Sequence, residues 1–118
     1  MRALVLDDDL SRLESFRTKA LAGHEVTTVS RVSDCIEQLM DHEFDMLFLD
    51  HDLDGKVYVP SGPGTGYAVA EWLRDHPERK PKKIVLHTFN QFGAAKMKEV
   101  LPEAEYVPAA WLVVWDLE

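Results

Sequence analysis

Residues 45–52 read Asp-Met-Leu-Phe-Leu-Asp-His-Asp, a short apolar run that ends in acid, imidazole and acid. The apolar part, Met46–Leu49, is too short for an independent helix, and a loop rich in glycine and proline follows it over residues 51–65. A short apolar run bounded by turn residues is typical of a strand that is buried on both faces. We therefore predict a central strand whose charged carboxyl end reaches the edge of a sheet.

Five segments of the chain are apolar or β-branched runs of strand length. They are Leu4–Leu6, His24–Val29, Met46–Leu49, Ile84–Leu86 and Ala104–Val107. Apolar residues at helical spacing fill the segments between them, as in the fourth helix. There Asn90 is the expected cap, and the positions expected to face the core are Phe92, Ala95, Val100 and Leu101.

This alternation predicts an α/β fold, because parallel strands are joined by right-handed crossovers that need a covering helix. We expect one domain over residues 1–118, with a flavodoxin-like, doubly wound parallel five-stranded sheet in the order 2-1-3-4-5. The last helix is expected to be short or missing. The tail, residues 109–118, fits a truncated helix or a sixth strand, and its periodicity does not decide between them.

The composition limits the function classes. The chain has 118 residues and is 46% hydrophobic, which suits one globular domain. Its 13 basic and 21 acidic residues give a formal charge of -8, which argues against general binding to nucleic acid or to an anionic membrane. Cys35 is the only cysteine, so no intramolecular disulfide forms. With no signal-peptide pattern and no apolar run near the ~20 residues of a membrane span, we expect a soluble cytoplasmic protein.

The predicted strand order brings carboxylates together, because strands 1, 3 and 4 are neighbours whose carboxyl ends share one crevice. Carboxylates that lie within a few Å repel one another, and a divalent cation relieves the repulsion. Oxygen ligands suit Mg²⁺ or Mn²⁺, often with a phosphate as a further ligand. The predicted metal ligands are Asp7, Asp8 and Asp50, with Asp52 as a further contributor. The alternative for Asp7 and Asp8 is that they only cap the first helix.

Histidines and polar side chains complete the predicted site. Histidine titrates near neutrality, so His51 and His87 are candidates for the acid and base in cleavage of a small phosphorylated ligand or nucleotide. A structural role for either histidine is the alternative. Thr88 and Asn90 could hydrogen-bond a phosphate or a water, and Asn90 is equally well explained as a helix cap.

These residues resemble the receiver domain of response regulators. Asp7 and Asp8 match its acidic pair after the first strand. Asp50 matches its phosphoacceptor aspartate, and Thr88 matches its hydroxyl residue after the fourth strand. The chain departs from that family at the fifth strand, where Val107 stands in place of the lysine that precedes a proline. That lysine normally contacts the acyl phosphate, so the resemblance leaves the usual phosphorylation switch incomplete.

A closer resemblance is to the cyclic-phosphate processing receiver-like domains. Their motifs look like residues 49–53, Leu-Asp-His-Asp-Leu, and residues 87–90, His-Thr-Phe-Asn, which a glycine-rich segment ending at residues 64–66 joins. The resemblance implies a divalent-metal-dependent phosphoesterase that processes a cyclic nucleotide or a cyclic-phosphate end. In that hypothesis Asp50, His51 and His87 are the catalytic residues.

Two other hypotheses remain open. The chain could be a signalling receiver that accepts phosphate on Asp50. It could also be a non-catalytic module that binds a nucleotide or another protein. A protein partner or a second copy of the chain would then bind the C-terminal element, through Trp111, Val113, Val114 and Trp115.

Overall fold

The computed structural model describes residues 1–53 and 59–108, with the side chain of Ala20 left out. The tail over residues 109–118 therefore lies outside the described residues. The two conformations predicted for the tail, and the partner surface expected on it, stay predictions.

The described residues form a five-stranded parallel sheet in the order β2-β1-β3-β4-β5, which confirms the predicted fold class and strand order. The strands are β1 (Arg2–Leu6), β2 (Glu25–Val29), β3 (Met46–Leu49), β4 (Lys83–Leu86) and β5 (Glu105–Tyr106). The central position of β3 explains its composition, because all of its residues are buried.

Helices connect the strands. The α-helices are α1 (Leu10–Ser15), α2 (Val32–Asp41), α3 (Gly66–Asp75) and α4 (Gln91–Val100). A π-helical turn, Phe16–Ala20, continues α1, and a 3₁₀ turn, Pro77–Arg79, follows α3. No helix within residues 1–53 and 59–108 is long and apolar enough to cross a membrane.

The core lies on both faces of the sheet because successive strand residues point to opposite sides. Leu47 and Leu49 pack on one face with residues of α2, α3 and α4, including Leu39, Leu73 and Met97. Phe48 packs on the other face in a cluster that includes Phe16 and Leu21, which follow α1. The predicted cover of helices on both faces is therefore observed.

Two of the four core positions predicted for α4 are wrong. Phe92 is 86% exposed and Ala95 is exposed as well, whereas Leu101 is buried and Val100 packs against the core as predicted. The residues of α4 that are buried are Gly93, Ala94 and Met97. The cause is tertiary: a Cβ at Gly93 would lie 2.7 Å from His51 Nδ1, so the helix turns its glycine toward that ring. The cap predicted at Asn90 is observed, with its side chain accepting from the Gly93 amide.

Candidate functional site

The register of the sheet aligns three polar residues at its carboxyl edge. Leu6 pairs with Leu49, and Leu49 pairs with Leu86. The next residue of each strand therefore lies at the same level. Backbone hydrogen bonds extend the ladder past the last pairs, from the Asp50 amide to Leu6 O and from the His87 amide to Leu49 O, both at 3.0 Å. The side chains of Asp7, Asp50 and His87 consequently meet at one place, and all three residues are buried.

We call Asp7, Asp50 and His87 the strand-end group. One ligand atom from each lies within 4.8 Å of the others. His87 Nε2 is 2.8 Å from Asp7 Oδ2, and because an ionised carboxylate only accepts, Nε2 is assigned as the donor. His87 Nδ1 is buried and has no hydrogen-bond partner among the described residues. The His87 ring also packs edge-on against Phe16, with ring centroids 5.0 Å apart.

Arg12 brings a positive charge to this group. Its guanidinium donates to Asp7 from Nε at 2.8 Å and from Nη2 at 3.0 Å. Nη2 also lies 3.4 Å from Asp50 Oδ2. The Arg12 side chain is 29% exposed, and its guanidinium carbon lies 5.7 Å from the centroid of the half-exposed Phe89 ring. The arginine thus reaches from the surface into the strand-end group.

The pKa values of Asp7 and Asp50 are shifted in opposite directions by this environment. Burial by itself would raise the pKa of Asp7, but hydrogen bonds from His87 and Arg12 outweigh it and hold that pKa below its ordinary value. Burial raises the pKa of Asp50, and the neighbouring charge of Asp7 adds to this effect. A hydrogen bond with Thr88 and the charges of His87 and Arg12 counteract the rise only in part. Asp50 is therefore the carboxylate whose charge is the less well compensated.

The residues after Asp50 form a second cluster. His51 Nδ1 is 2.7 Å from Asp52 Oδ1, and His51 Nε2 is 2.9 Å from Ser61 Oγ. Asn90 Nδ2 donates to Asp52 Oδ1 at 3.0 Å and to the Val59 carbonyl at 3.1 Å. We call Ser61, His51 and Asp52 the serine–histidine cluster.

Two glycines allow α3 and α4 to approach the end of β3 closely. A Cβ at Gly66, the first residue of α3, would clash with the carbonyl oxygen of Asp50. The Gly66 amide instead donates to the His51 carbonyl at 3.0 Å. Gly93 of α4 faces the His51 ring in the same way. At both positions glycine is needed because α3 and α4 approach the end of β3 too closely for a Cβ, and not because the backbone adopts a left-handed conformation.

Comparison with known proteins identifies the family of this chain. The model of a family described as "Cyclic-phosphate processing Receiver domain" matches residues 2–103. The chain belongs to this family. The resemblance predicted from the two motifs is thereby confirmed. No curated protein matches this receiver domain.

Solved structures similar to the receiver domain include response regulators. The phosphorylated cyanobacterial phytochrome response regulator RcpA has 18% sequence identity and a TM-score of 0.75, over 96% of this chain and 86% of that one. A CheY-like receiver domain protein from Methanospirillum hungatei has 18% identity and a TM-score of 0.68, over 91% and 79%. TrrA from Thermotoga maritima, in complex with Mg(2+)-BeF, has 23% identity and a TM-score of 0.66, over 91% and 84%. At these identities the similarity shows the fold alone.

The residues that were predicted to form one site are divided in the receiver domain. Asp7, Asp50 and His87 converge, whereas Asp8 lines a neighbouring surface pocket with Thr28 and Ser30. The metal-binding roles predicted for Asp8 and Asp52 stay predictions, as do the acid or base roles of the histidines.

Thr88 lies beside Asp50, and its Oγ1 accepts a hydrogen bond from the Asn90 amide at 3.1 Å. The Asn90 side chain is directed instead to Asp52, Val59 and Gly93. Ligand binding by Thr88 and Asn90 stays a prediction as well.

Sequence reasoning missed Arg12 and Ser61. Arg12 follows the helix cap Asp9 by three positions, so the first turn of α1 carries it back over the end of β1. A basic residue in the first turn of a helix, three positions after its acidic cap, could have indicated an ion pair with the acidic end of the preceding strand. Ser61 had no signal in the sequence, because its partner His51 lies at the other end of a glycine-rich loop.

Proposed function

We propose that this receiver domain is a divalent-metal-dependent phosphoesterase domain that processes a cyclic nucleotide or a cyclic-phosphate end. The observation that carries the proposal is the strand-end group, in which two buried carboxylates and an imidazole have ligand atoms within 4.8 Å. The name of the family to which the chain belongs supports the same class of substrate.

The strand-end group fits a divalent cation. Asp7 and Asp50 offer carboxylate oxygens, the ligands that Mg²⁺ and Mn²⁺ prefer. The raised pKa of Asp50 points the same way, since this carboxylate gains from a nearby positive charge. When bound, the cation would polarise a phosphoryl oxygen and lower the pKa of a coordinated water.

The residues of this chain would have distinct tasks in such a site. Asp7 and Asp50 would hold the cation. His87 donates from Nε2 to Asp7, which fixes the orientation of that carboxylate, as outer partners commonly do at metal sites. Arg12 is partly exposed and always charged, so it would attract and orient the phosphate. Thr88 is beside Asp50 and would hydrogen-bond a phosphate oxygen.

The test is turnover by the purified protein with Mn²⁺ or Mg²⁺ and a panel of 2′,3′-cyclic and 3′,5′-cyclic nucleotides. We expect hydrolysis of at least one member of the panel, and its loss when the cation is chelated. Asp50→Asn should abolish the reaction, and His87→Ala should lower the rate about ten- to a hundredfold, because Asp7 loses the partner that orients it. His42→Ala is the matched control, because His42 is exposed and lies just before β3, at the opposite edge of the sheet.

Some outcomes would contradict this proposal. Full activity of His87→Ala would remove His87 from the reaction. Tight binding of a nucleotide with no turnover under any of these conditions would instead favour a non-catalytic binding domain.

Phosphate acceptance by Asp50 is the second candidate function. It is favoured by the position of Asp50 at the end of the central strand, close to Thr88 and Arg12. The similar fold of a phosphorylated response regulator and of one in complex with Mg(2+)-BeF also supports it. Against it, Val107 is buried in an apolar cluster at the end of β5, where receivers carry a lysine. Incubation with acetyl phosphate and Mg²⁺ should then give a hydroxylamine-labile adduct that Asp50→Asn does not form.

A further inference from the structure

Ser61, His51 and Asp52 are arranged as a nucleophile, its base and the acid that orients the base. Ser61 Oγ is 2.9 Å from His51 Nε2, and His51 Nδ1 is 2.7 Å from Asp52 Oδ1. In this order the imidazole can take the hydroxyl proton through one nitrogen while the carboxylate holds the other. This arrangement of nucleophile, base and acid is recognised by its geometry and not by sequence position, and it occurs in proteins of unrelated fold.

The base is held rigidly in this position. His51 is fully buried, and Gly93 leaves space for its ring at a distance that no Cβ would allow. Asp52 is only 9% exposed, and it accepts a further hydrogen bond from Asn90 Nδ2 at 3.0 Å. Asn90 is itself fixed, because its Oδ1 accepts from the Gly93 amide at 2.9 Å. A buried carboxylate polarises the imidazole more strongly than an exposed one would.

The nucleophile is accessible, and its backbone is anchored on both sides. Ser61 is partly exposed, whereas its partner His51 is fully buried. Before it, the Val59 carbonyl accepts from Asn90 at 3.1 Å. After it, Thr65 Oγ1 accepts from the Gly62 amide at 3.1 Å and donates to the Gly62 carbonyl at 2.8 Å. These contacts hold the serine hydroxyl against the buried imidazole.

We propose that the serine–histidine cluster is a nucleophilic site that reacts with small uncharged esters, independently of any metal ion. An uncharged electrophile is the class that fits, because the Asp52 carboxylate lies 2.7 Å from the His51 ring and would repel an anion. Ser61 Oγ forms a bond to the acyl carbon while its proton passes to His51 Nε2. The bond from that carbon to the leaving oxygen then breaks, and the alcohol leaves with the proton. A water molecule, activated by His51 in the same way, releases the acid and restores the serine.

The test uses a fluorophosphonate probe, an uncharged electrophile that loses fluoride to a serine nucleophile. The full chain is incubated with the probe in the presence of a chelator, and each modified serine is located by mass spectrometry. Ser61 should react at least about tenfold faster than the exposed Ser30 and Ser33, which serve as internal controls. Asp52→Asn keeps the serine and the histidine but favours the wrong tautomer, so it should lower labelling of Ser61 at least about tenfold.

The comparison within the unaltered protein decides the proposal even if a variant fails to fold, which circular dichroism would reveal. Labelling of Ser61 no faster than that of Ser30 would overturn it. Labelling that is unchanged in a folded Asp52→Asn protein would also overturn it, because Ser61 would then only satisfy the hydrogen-bonding capacity of buried His51. Since the chelator removes metal-dependent turnover, neither result depends on the phosphoesterase proposal.

Discussion

Arg12 donates two hydrogen bonds to Asp7, from Nε to Oδ2 at 2.8 Å and from Nη2 to Oδ1 at 3.0 Å. This two-point contact satisfies both oxygens of a carboxylate that is fully buried. The receiver domain therefore supplies a cation of its own at the place where a divalent ion would bind. The hydrogen bond with Asp7 raises the pKa of Arg12, so the guanidinium stays charged throughout the accessible pH range.

Replacing this guanidinium should strengthen the binding of divalent ions. Arg12→Met removes a positive charge that competes for Asp7 and repels an incoming cation, so the affinity for Mn²⁺ should rise about tenfold by titration calorimetry. Arg17→Met is the matched control, because exposed Arg17 contacts Thr28 at 3.1 Å rather than the strand-end group. An unchanged or weaker affinity in Arg12→Met would show that Arg12 does not compete with the ion.

Asp50→Asn should stabilise the metal-free protein. Burial and the charge of Asp7 raise the pKa of Asp50, so its ionised form is unfavourable in the folded state at neutral pH. Removing this charge should raise the free energy of unfolding in urea by about 1 kcal/mol, as is common for residues retained for function. Mn²⁺ should stabilise the unaltered protein and have little effect on the variant. A variant less stable than the unaltered protein in the presence of chelator would contradict this interpretation.

The difference in stability between Asp50→Asn and the unaltered protein should depend on pH, because the pKa of Asp50 is raised in the folded state. A raised pKa in the folded state means that the folded protein gains stability as Asp50 takes up a proton, and loses it again as the pH rises. The advantage of Asp50→Asn should thus be largest at about pH 7 and shrink as the pH falls toward the ordinary aspartate pKa of 3.8. Urea unfolding of both proteins across this range, with chelator, measures the effect. An advantage that grows with acidity would mean that the pKa is not raised.

Asp7→Asn should behave in the opposite way. The pKa of Asp7 is lowered by its hydrogen bonds with His87 and Arg12, which outweigh the effect of burial. Its ionised form therefore stabilises the folded state above the unfolded pKa of 3.8, and this contribution is lost as the pH falls further. The variant should be about 2 kcal/mol less stable than the unaltered protein at about pH 7, because a buried charge pair is broken. The two proteins should converge in urea unfolding well below that pKa.

Gly93→Ala should destabilise the domain, although alanine is the better helix former. The new Cβ would lie 2.6 Å from His51 Cδ2, so the ring or the helix must move. The expected cost is about 2 kcal/mol by thermal or urea unfolding. Gly64→Ala is the matched control, because nothing lies within 4 Å of a Cβ at Gly64, and its effect should stay within about 0.5 kcal/mol. Equal stability of the two variants would show that the contact with His51 is easily relieved.

Local patterns in the sequence were sufficient for the fold. Met46–Leu49 was predicted to be the central strand with the bounds that the structure has, because a strand buried on both faces must be apolar at every position. The alternation of strands and helices predicted a doubly wound parallel sheet, and the order 2-1-3-4-5 is one of the common orders of such sheets. The convergence of Asp7, Asp50 and His87 followed from that order, since parallel strands end at the same edge.

Only the tertiary structure decided how the polar residues of that edge are divided between the strand-end group and the serine–histidine cluster. Asp50 turns toward Asp7 and Arg12, whereas its neighbours His51 and Asp52 turn toward Asn90 and Ser61. The sequence determined that these residues follow one strand. It could not determine the division, because the partners of each side chain come from helices and a loop far along the chain. Hydrogen bonding and close packing among those distant elements fix where each side chain points.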